Sequence, residues 1–516
     1  MLLLCHLITA LGSAASPPAP PAPFGLRLEH LASPVIGVES PHPQLSWKLA
    51  HAQRGATQAA YEVTVHLGDA ASSSPLPLWS SGKRASNASE AIALFASPNW
   101  AYAAETTYSI AVRWWAATDG AASPFSPPLV FATAPPAGSG LSGAKWITRN
   151  AGCGYGESAQ LRTTFALDTA ATGPIDRAQL SLACAGYCYA WLNGIPLFPN
   201  ASLGRTTTFE KRALFDTVLL DPSLFNESGK NVLAVAISGG WATNDGRALH
   251  HGTDAGLGFA LALRLALTLR GGTVVAVDSR DDGSWRAAAG PYRRSGIFLG
   301  VIYDAALETP HWQLPSYVEP SQNTTNPWSS VTSVAPHAPV GVLVSSLAPP
   351  ISRTTRIVPV AVTPLAPAAS GSTRWLIDFG QNAASTLSVD LASFGGNNFT
   401  VRLMFAEQVN YALPKGANDR YPLADAMKVG DIVYTGTTTS SSGRWEPLFT
   451  YGGFRYCVLE LTRAGSSGGG DAPVSVTTAT VTGYHTHSDV GRAAPTAVLG
   501  FDDTPPSSIR FGGSSS

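Results

Sequence analysis

The sequence predicts an all-β chain of three consecutive sandwich or jelly-roll domains. Three observations carry this. The 50 Gly and 39 Pro punctuate short Val-, Leu-, Thr- and Tyr-rich runs along the whole length, which is the spacing of strands and turns rather than of helices. Many of those runs alternate apolar and polar residues, the pattern of a half-buried strand. And 516 residues exceed the roughly 250–300 that one hydrophobic core supports. With 45% hydrophobic and 13% charged residues, each domain has apolar material to fill a core.

In chain order, residues 1–15 read as a cleaved secretion signal: an apolar run from Leu2 to Leu11 is followed by the small residues Gly12-Ser13-Ala14-Ala15. Residues 16–23 are a Pro/Ala linker. The first domain spans 24–136 and reads as a fibronectin-like sandwich, with alternation in Gln44-Leu45-Ser46-Trp47, Tyr61 to Val65 and Tyr108 to Trp115. Trp47 and Trp114 fall on the inward phase, which assigns them to the core rather than to a sugar-binding face.

The second domain, 145–313, has strand material from Leu182 to Leu192 closed by the turn pair Asn193-Gly194. The unbroken apolar run Val232–Ile237 predicts a buried strand, and the Leu-rich Leu261–Leu269 predicts another. Residues 314–350 read as a Pro/Ser/Thr-rich connection, and the third domain, 351–489, has strands at Thr386–Leu391, Thr400–Phe405 and Arg455–Leu461. Alternation there assigns Trp445, Phe454 and Tyr456 to its core. The tail, 490–516, is Gly-, Ser- and Pro-rich and reads as disordered.

Lys+Arg 33 against Asp+Glu 34 gives a net charge of -1, with no basic stripe for nucleic acid, and no run is long enough to span a bilayer as a helix. Sequons at Asn87, Asn200, Asn226, Asn323 and Asn398 agree with secretion. Once Cys5 leaves with the signal, Cys153, Cys184, Cys188 and Cys457 remain. Cys184 and Cys188 can bridge only if the chain turns between them, as Gly186 permits, whereas Cys153 and Cys457 can equally stay free.

Several phrases carry a resemblance. They are Tyr187-Cys188-Tyr189-Ala190-Trp191-Leu192-Asn193-Gly194, Gly229-Lys230-Asn231-Val232 and Ser238-Gly239-Gly240-Trp241 in the second domain. In the third they are Trp375-Leu376-Ile377-Asp378-Phe379-Gly380-Gln381-Asn382, Phe405-Ala406-Glu407, and the run from Trp445 to Tyr456. In order and spacing they resemble the N-terminal region of the α-L-rhamnosidases of glycoside hydrolase family 78, over residues 24–490.

The resemblance implies a fibronectin-like sandwich, a jelly roll related to rhamnose-binding modules, a larger concanavalin-like sandwich, and then an (α/α)6 barrel that hydrolyses terminal α-L-rhamnosides with inversion. Family members run on past a His-Ser-Asp phrase, here His487-Ser488-Asp489, into that barrel and its acidic motif. This sequence departs at Ala493-Ala494-Pro495 and holds no stretch resembling the motif. The expectation is a chain of accessory domains, inactive by itself.

The acidic residues agree, since inversion needs two carboxyl groups roughly 6.5–9.5 Å apart across a cleft. Asp378, Glu407 and Glu446 sit in strand and turn phrases that suit ion pairing or capping, so no catalytic residue is assigned. Gly465-Ser466-Ser467-Gly468-Gly469 lacks the strand and helix of a nucleophile elbow. His250-His251 with Asp254 is adjacent-histidine loop sequence, not a metal set.

A carbohydrate site has its best candidates in the second domain, where Trp241 offers an aromatic face and Asn244 and Asp245 an amide and a carboxylate, with Asn200 as a further polar contact. Against them, Asn244-Asp245-Gly246 is also an ordinary turn. Rhamnose-binding relatives follow their Leu-Asn-Gly phrase with a Gly/Asp-rich segment and Pro-Gly-Trp that supply sugar and calcium contacts. Here Phe198-Pro199-Asn200 and Leu203-Gly204-Arg205 stand instead.

No cofactor is required by the sequence, and a calcium ion in the second domain is left open. The expected partners are rhamnose-containing glycans or glycosides. The competing reading is an extracellular adhesion or lectin-like fragment of fibronectin-like modules.

Overall fold

The computed structural model describes residues 19–488 except 70–75, 96–100, 119, 137–139, 150–156, 169–172, 199–200, 203, 210, 241–258, 297–299, 321–325, 335–340, 369–370, 395–397, 410–430, 437–442 and 464–473. Among the described residues the chain is all β, without α-helix and with only short 3-10 turns such as Pro222–Leu224.

The first domain packs a three-stranded sheet (Phe24–Leu28, Gln44–Lys48, Ile92–Ala93) on a six-stranded one built around Gln58–Leu67 and Thr107–Ala116. Alternation sends Leu45, Trp47, Val63, Val65, Tyr108, Ile110 and Val112 inward. Trp47 and Trp114 are 3% and 1% exposed. Their indole N–H groups donate to Gln58 Oε1 at 3.1 Å and to the Pro21 carbonyl at 2.7 Å, so both are packed and satisfied, with no face free for a sugar.

The second domain encloses its core between Ile175–Ala185 and Ala260–Leu269 on one side and Ala159–Ala166 and Lys230–Ser238 on the other. The apolar runs are buried on both faces for a visible reason. Leu233, Val235 and Ile237 point into the core, while Val232 and Ala234 lie beneath Trp312 and Trp328. Leu261, Leu263 and Leu265 point inward too, and Ala260 and Ala262 are covered from outside by Trp146 and Leu343.

The segment read as strand material from Leu182 to Leu192 is two strands, Ile175–Ala185 and Tyr187–Leu192. They pair in different sheets, so the chain crosses the sandwich at Gly186. Residues 314–350 contain two strands: Ser329–Ser333 bridges the two sides of the sandwich and Val342–Ser345 runs parallel to Arg212–Leu220.

The third domain is an eleven-stranded sheet centred on the 18-residue strand Thr373–Asp390, which pairs with Gly452–Arg463 and Val481–Ser488. Tyr292–Gly296 and Gly300–Asp304, earlier in sequence, complete this sheet by a parallel pairing onto Ile432–Gly436. Trp445 and Phe454 are core, 7% and 4% exposed. Tyr456 is not: it sits half-buried on the opposite face beside Met404 and Val458, with Arg455 over its ring at 5.0 Å. The register with Thr373–Asp390 breaks between Asp378 and Ala383, and this irregularity reverses the phase of the alternation.

Candidate carbohydrate site

The candidate site is built around the crossing at Gly186. This residue has φ 125°, and a Cβ there would lie 2.2 Å from the Ser238 carbonyl oxygen, so only glycine fits. Cys184 and Cys188 close the turn as a disulfide with Cα atoms 6.4 Å apart, both buried.

Two further glycines pack on the same spot. A Cβ on Gly204 would fall 2.0 Å from the Gly186 oxygen, and one on Gly240 would fall 3.0 Å from the Gly186 carbonyl carbon and from the Tyr187 nitrogen. The segment that follows Asn200 and the segment that precedes Trp241 are thereby rooted side by side. Asn200, Trp241, Asn244 and Asp245 themselves lie outside the described residues, as do His250, His251, Asp254, Cys153 and the Gly465–Gly469 stretch.

The motif residues nearby serve the fold. Asn193 occupies the left-handed region, φ 52°, ahead of Gly194 at 85°, the backbone of a tight hairpin turn. Its amide donates to the Leu224 carbonyl at 2.9 Å and to Asn231 Oδ1 at 2.8 Å, and its Oδ1 accepts from the Val232 N–H at 2.8 Å. The Leu-Asn-Gly and Gly-Lys-Asn phrases therefore meet as one amide network. Arg205 is ion-paired to Asp216 at 2.5 Å and donates to the Ala348 and Pro349 carbonyls. It is tied into the domain connection.

Two of the acidic candidates of the third domain, Asp378 and Glu446, are engaged as structure. Arg455 grips Asp378 through both carboxylate oxygens, at 2.9 and 3.0 Å, while Gly380 N–H caps the same group at 2.7 Å. These hydrogen bonds from Arg455, aided by Gly380 and the guanidinium charge, hold the Asp378 carboxyl below the usual carboxylate range. Glu446 pairs with Arg353 at 2.6 Å, and a Glu407 oxygen lies over the backbone of Gly453. Among the described residues no group of three His, Cys, Asp or Glu is placed to hold a metal ion. Cys457 is a free, buried thiol pushed up by desolvation.

A small recess in the third domain is walled by Phe405, Ile432, Tyr451 and Phe454, and Thr386 and Thr450 carry unpartnered hydroxyls there. Its walls are too apolar to fix the hydroxyls of a sugar.

Comparison with known proteins follows the same three divisions. Residues 23–136 match the family described as the Rha78A-like, N-terminal immunoglobulin domain, 173–355 the alpha-L-rhamnosidase N-terminal domain, and 368–486 the bacterial alpha-L-rhamnosidase concanavalin-like domain. The chain carries the N-terminal domains of the α-L-rhamnosidase family. An α-L-rhamnosidase of Streptomyces avermitilis is 29% identical over 289 residues, 56% of this chain and 25% of the relative. One from Formosa agariphila is 26% identical over 449 residues, covering 82% and 43%.

The structure of the α-L-rhamnosidase from Dictyoglumus thermophilum superposes with a TM-score of 0.71 at 24% identity, over 91% of this chain and 49% of that one. The rhamnosidase-like chain thus spans a quarter to about half the length of these relatives. No helix among the described residues is long and apolar enough to cross a membrane.

Proposed function

We propose that this chain is the accessory, glycan-engaging part of a secreted α-L-rhamnosidase system, with rhamnose-bearing glycosides as its partners. The observation that carries the reading is the convergence of Gly204 and Gly240 on the Gly186–Tyr187 crossing in the rhamnosidase N-terminal domain. Gly204 follows Asn200 closely in sequence and Gly240 immediately precedes Trp241, so this packing supports a site that draws an aromatic face, amides and a carboxylate from Trp241, Asn200, Asn244 and Asp245. A calcium ion in the second domain would take oxygen ligands, and among the candidate residues Asp245 offers a carboxylate.

Secretion is supported by the leader and by the sequons, since Asn87, Asn226 and Asn398 all have exposed side chains open to a glycosylating enzyme. The adhesion reading rests on the first domain alone, whose buried Trp47 and Trp114 offer a glycan nothing.

The test is titration of L-rhamnose into the full chain, with and without calcium. A shallow monosaccharide site predicts a dissociation constant on the order of 0.1–10 mM. Binding abolished by Trp241→Ala combined with Asp245→Ala supports the assignment. Absence of any signal at saturating sugar, or a signal that survives the double substitution, rejects it.

A further inference from the structure

We propose that the first domain is a clamp on the strap that joins the second domain to the third, rather than an independent binding module. The strap is residues 342–350. Its strand Val342–Ser345 adds to the second domain by parallel pairing with Arg212–Leu220, and Ser346 N–H donates to the Phe215 carbonyl at 2.8 Å. Arg205, fixed by Asp216, binds the Ala348 and Pro349 carbonyls. At Ile351 the chain enters the third sheet.

The first domain grips this same strap. Ser345 donates its hydroxyl to the Gly37 carbonyl at 2.6 Å and its N–H to Glu39 Oε2 at 2.8 Å. Leu347 packs against the first domain's core. The fit is close: a Cβ on Gly37, which has φ 88°, would stand 2.7 Å from Ser345 Oγ.

A second set of contacts pins the clamp to the second domain. Glu105 has φ 52°, a conformation that disfavours residues with a side chain and persists where surrounding contacts hold it. Its carboxylate takes two hydrogen bonds from Arg264, at 2.7 and 3.1 Å, and its carbonyl accepts from Arg177 at 3.1 Å. Asp278 holds Arg264 from the other side at 3.1 Å, and the Glu105, Arg264 and Asp278 side chains are 13%, 12% and 1% exposed. Gln179 adds a buried hydrogen bond to the Thr133 carbonyl at 3.0 Å.

A four-residue edge strand pairs weakly by itself. With the first domain seated, opening the strap means breaking the Ser345 bonds and withdrawing Leu347 from a foreign core. With Glu105 unpinned, the first domain can lift away and carry those contacts with it.

Amide hydrogen exchange on the full chain tests this, comparing the parent with Ser345→Ala and Glu105→Ala. Ser345→Ala removes one strap contact and leaves each domain's own interior intact. Both variants are expected to exchange about tenfold faster at residues 342–347, while Gln58–Leu67 in the first domain and Gly452–Arg463 in the third keep parental protection. Strap exchange within about twofold of the parent in both variants overturns the proposal. So does loss of protection throughout the first domain in Ser345→Ala, because a clamp releases its strap without itself unfolding.

Discussion

Truncating Phe454 to alanine probes the core of the concanavalin-like domain at a point where the structure supplies the magnitude. The ring is 4% exposed and lies 4.6 Å from Phe405 in a tilted pair and 5.5 Å from Phe379 edge to face. Losing a fully buried aromatic removes about 1.5–3 kcal/mol of transfer free energy. Each lost aromatic pair adds about 0.5–1.5 kcal/mol. The sum centres near 4 kcal/mol, inside the roughly 3–5 kcal/mol usual for Phe→Ala.

The neighbours cannot close the gap, because Phe454 already walls the recess beside Ile432 and Tyr451. For a domain of this size about 1 kcal/mol moves the melting point by roughly 2–4 °C, so the third-domain transition should fall by about 8–16 °C in calorimetry. Tyr456→Ala, half-buried on the other face, should cost less than half as much. A Phe454→Ala shift under about 3 °C would refute the core assignment, since no packed aromatic is that dispensable.

Three further outcomes are expected. Asp378→Asn should lower stability at pH 6–7, and the gap to the parent should close as pH falls below about 4: Arg455 depresses the folded-state pKa, so the stabilisation is complete above the unfolded value and disappears on protonation. Thermal melts of both proteins across that range check it, and a gap independent of pH counts against it. Cys184→Ser should cost about 2 kcal/mol by loop entropy for so short a ring, read from denaturant midpoints, with reductant lowering the parent to the same value. The 516-residue polypeptide expressed alone should release no rhamnose from a chromogenic α-L-rhamnoside, because Asp378 and Glu446 are committed to arginines. Turnover that copurifies with the folded chain and vanishes on Glu407→Gln would contradict this.

Much of the local structure is legible in the residues. Alternation in Gln44–Lys48 and Thr107–Ala116 placed Trp47 and Trp114 inside, because a strand's period of two assigns faces without knowledge of its neighbours. Asn193-Gly194 announced its turn for an equally local reason, the left-handed backbone that this pair tolerates. Gly186 allowed the Cys184–Cys188 bridge. Tyr456 went to the wrong face because a bulge is a property of the pairing, and nothing in the strand's own residues marks it.

The candidate site was less legible. Asn200 and Trp241 could be named as residue types, but the packing of Gly204 and Gly240 on Gly186 is a contact between three distant segments. Arg205 read as a departure from a sugar-binding pattern, whereas its work is to hold the Ala348 and Pro349 carbonyls.

By itself the sequence determined the all-β class, many of the strands, the Asn193-Gly194 turn, the strands Val232–Ile237 and Leu261–Leu269, and the resemblance to rhamnosidase N-terminal domains. These follow from periodicity, turn chemistry and motif, all of which act within a few residues. Only the tertiary structure decided which strands share a sheet: that the chain changes sheets at Gly186, that Tyr292–Asp304 completes the third domain, and that Ser345 and Leu347 bind the first. Backbone hydrogen bonds carry no residue code, so an alternating run pairs as well with one partner as another. The choice is made when side chains from remote segments fill a common core.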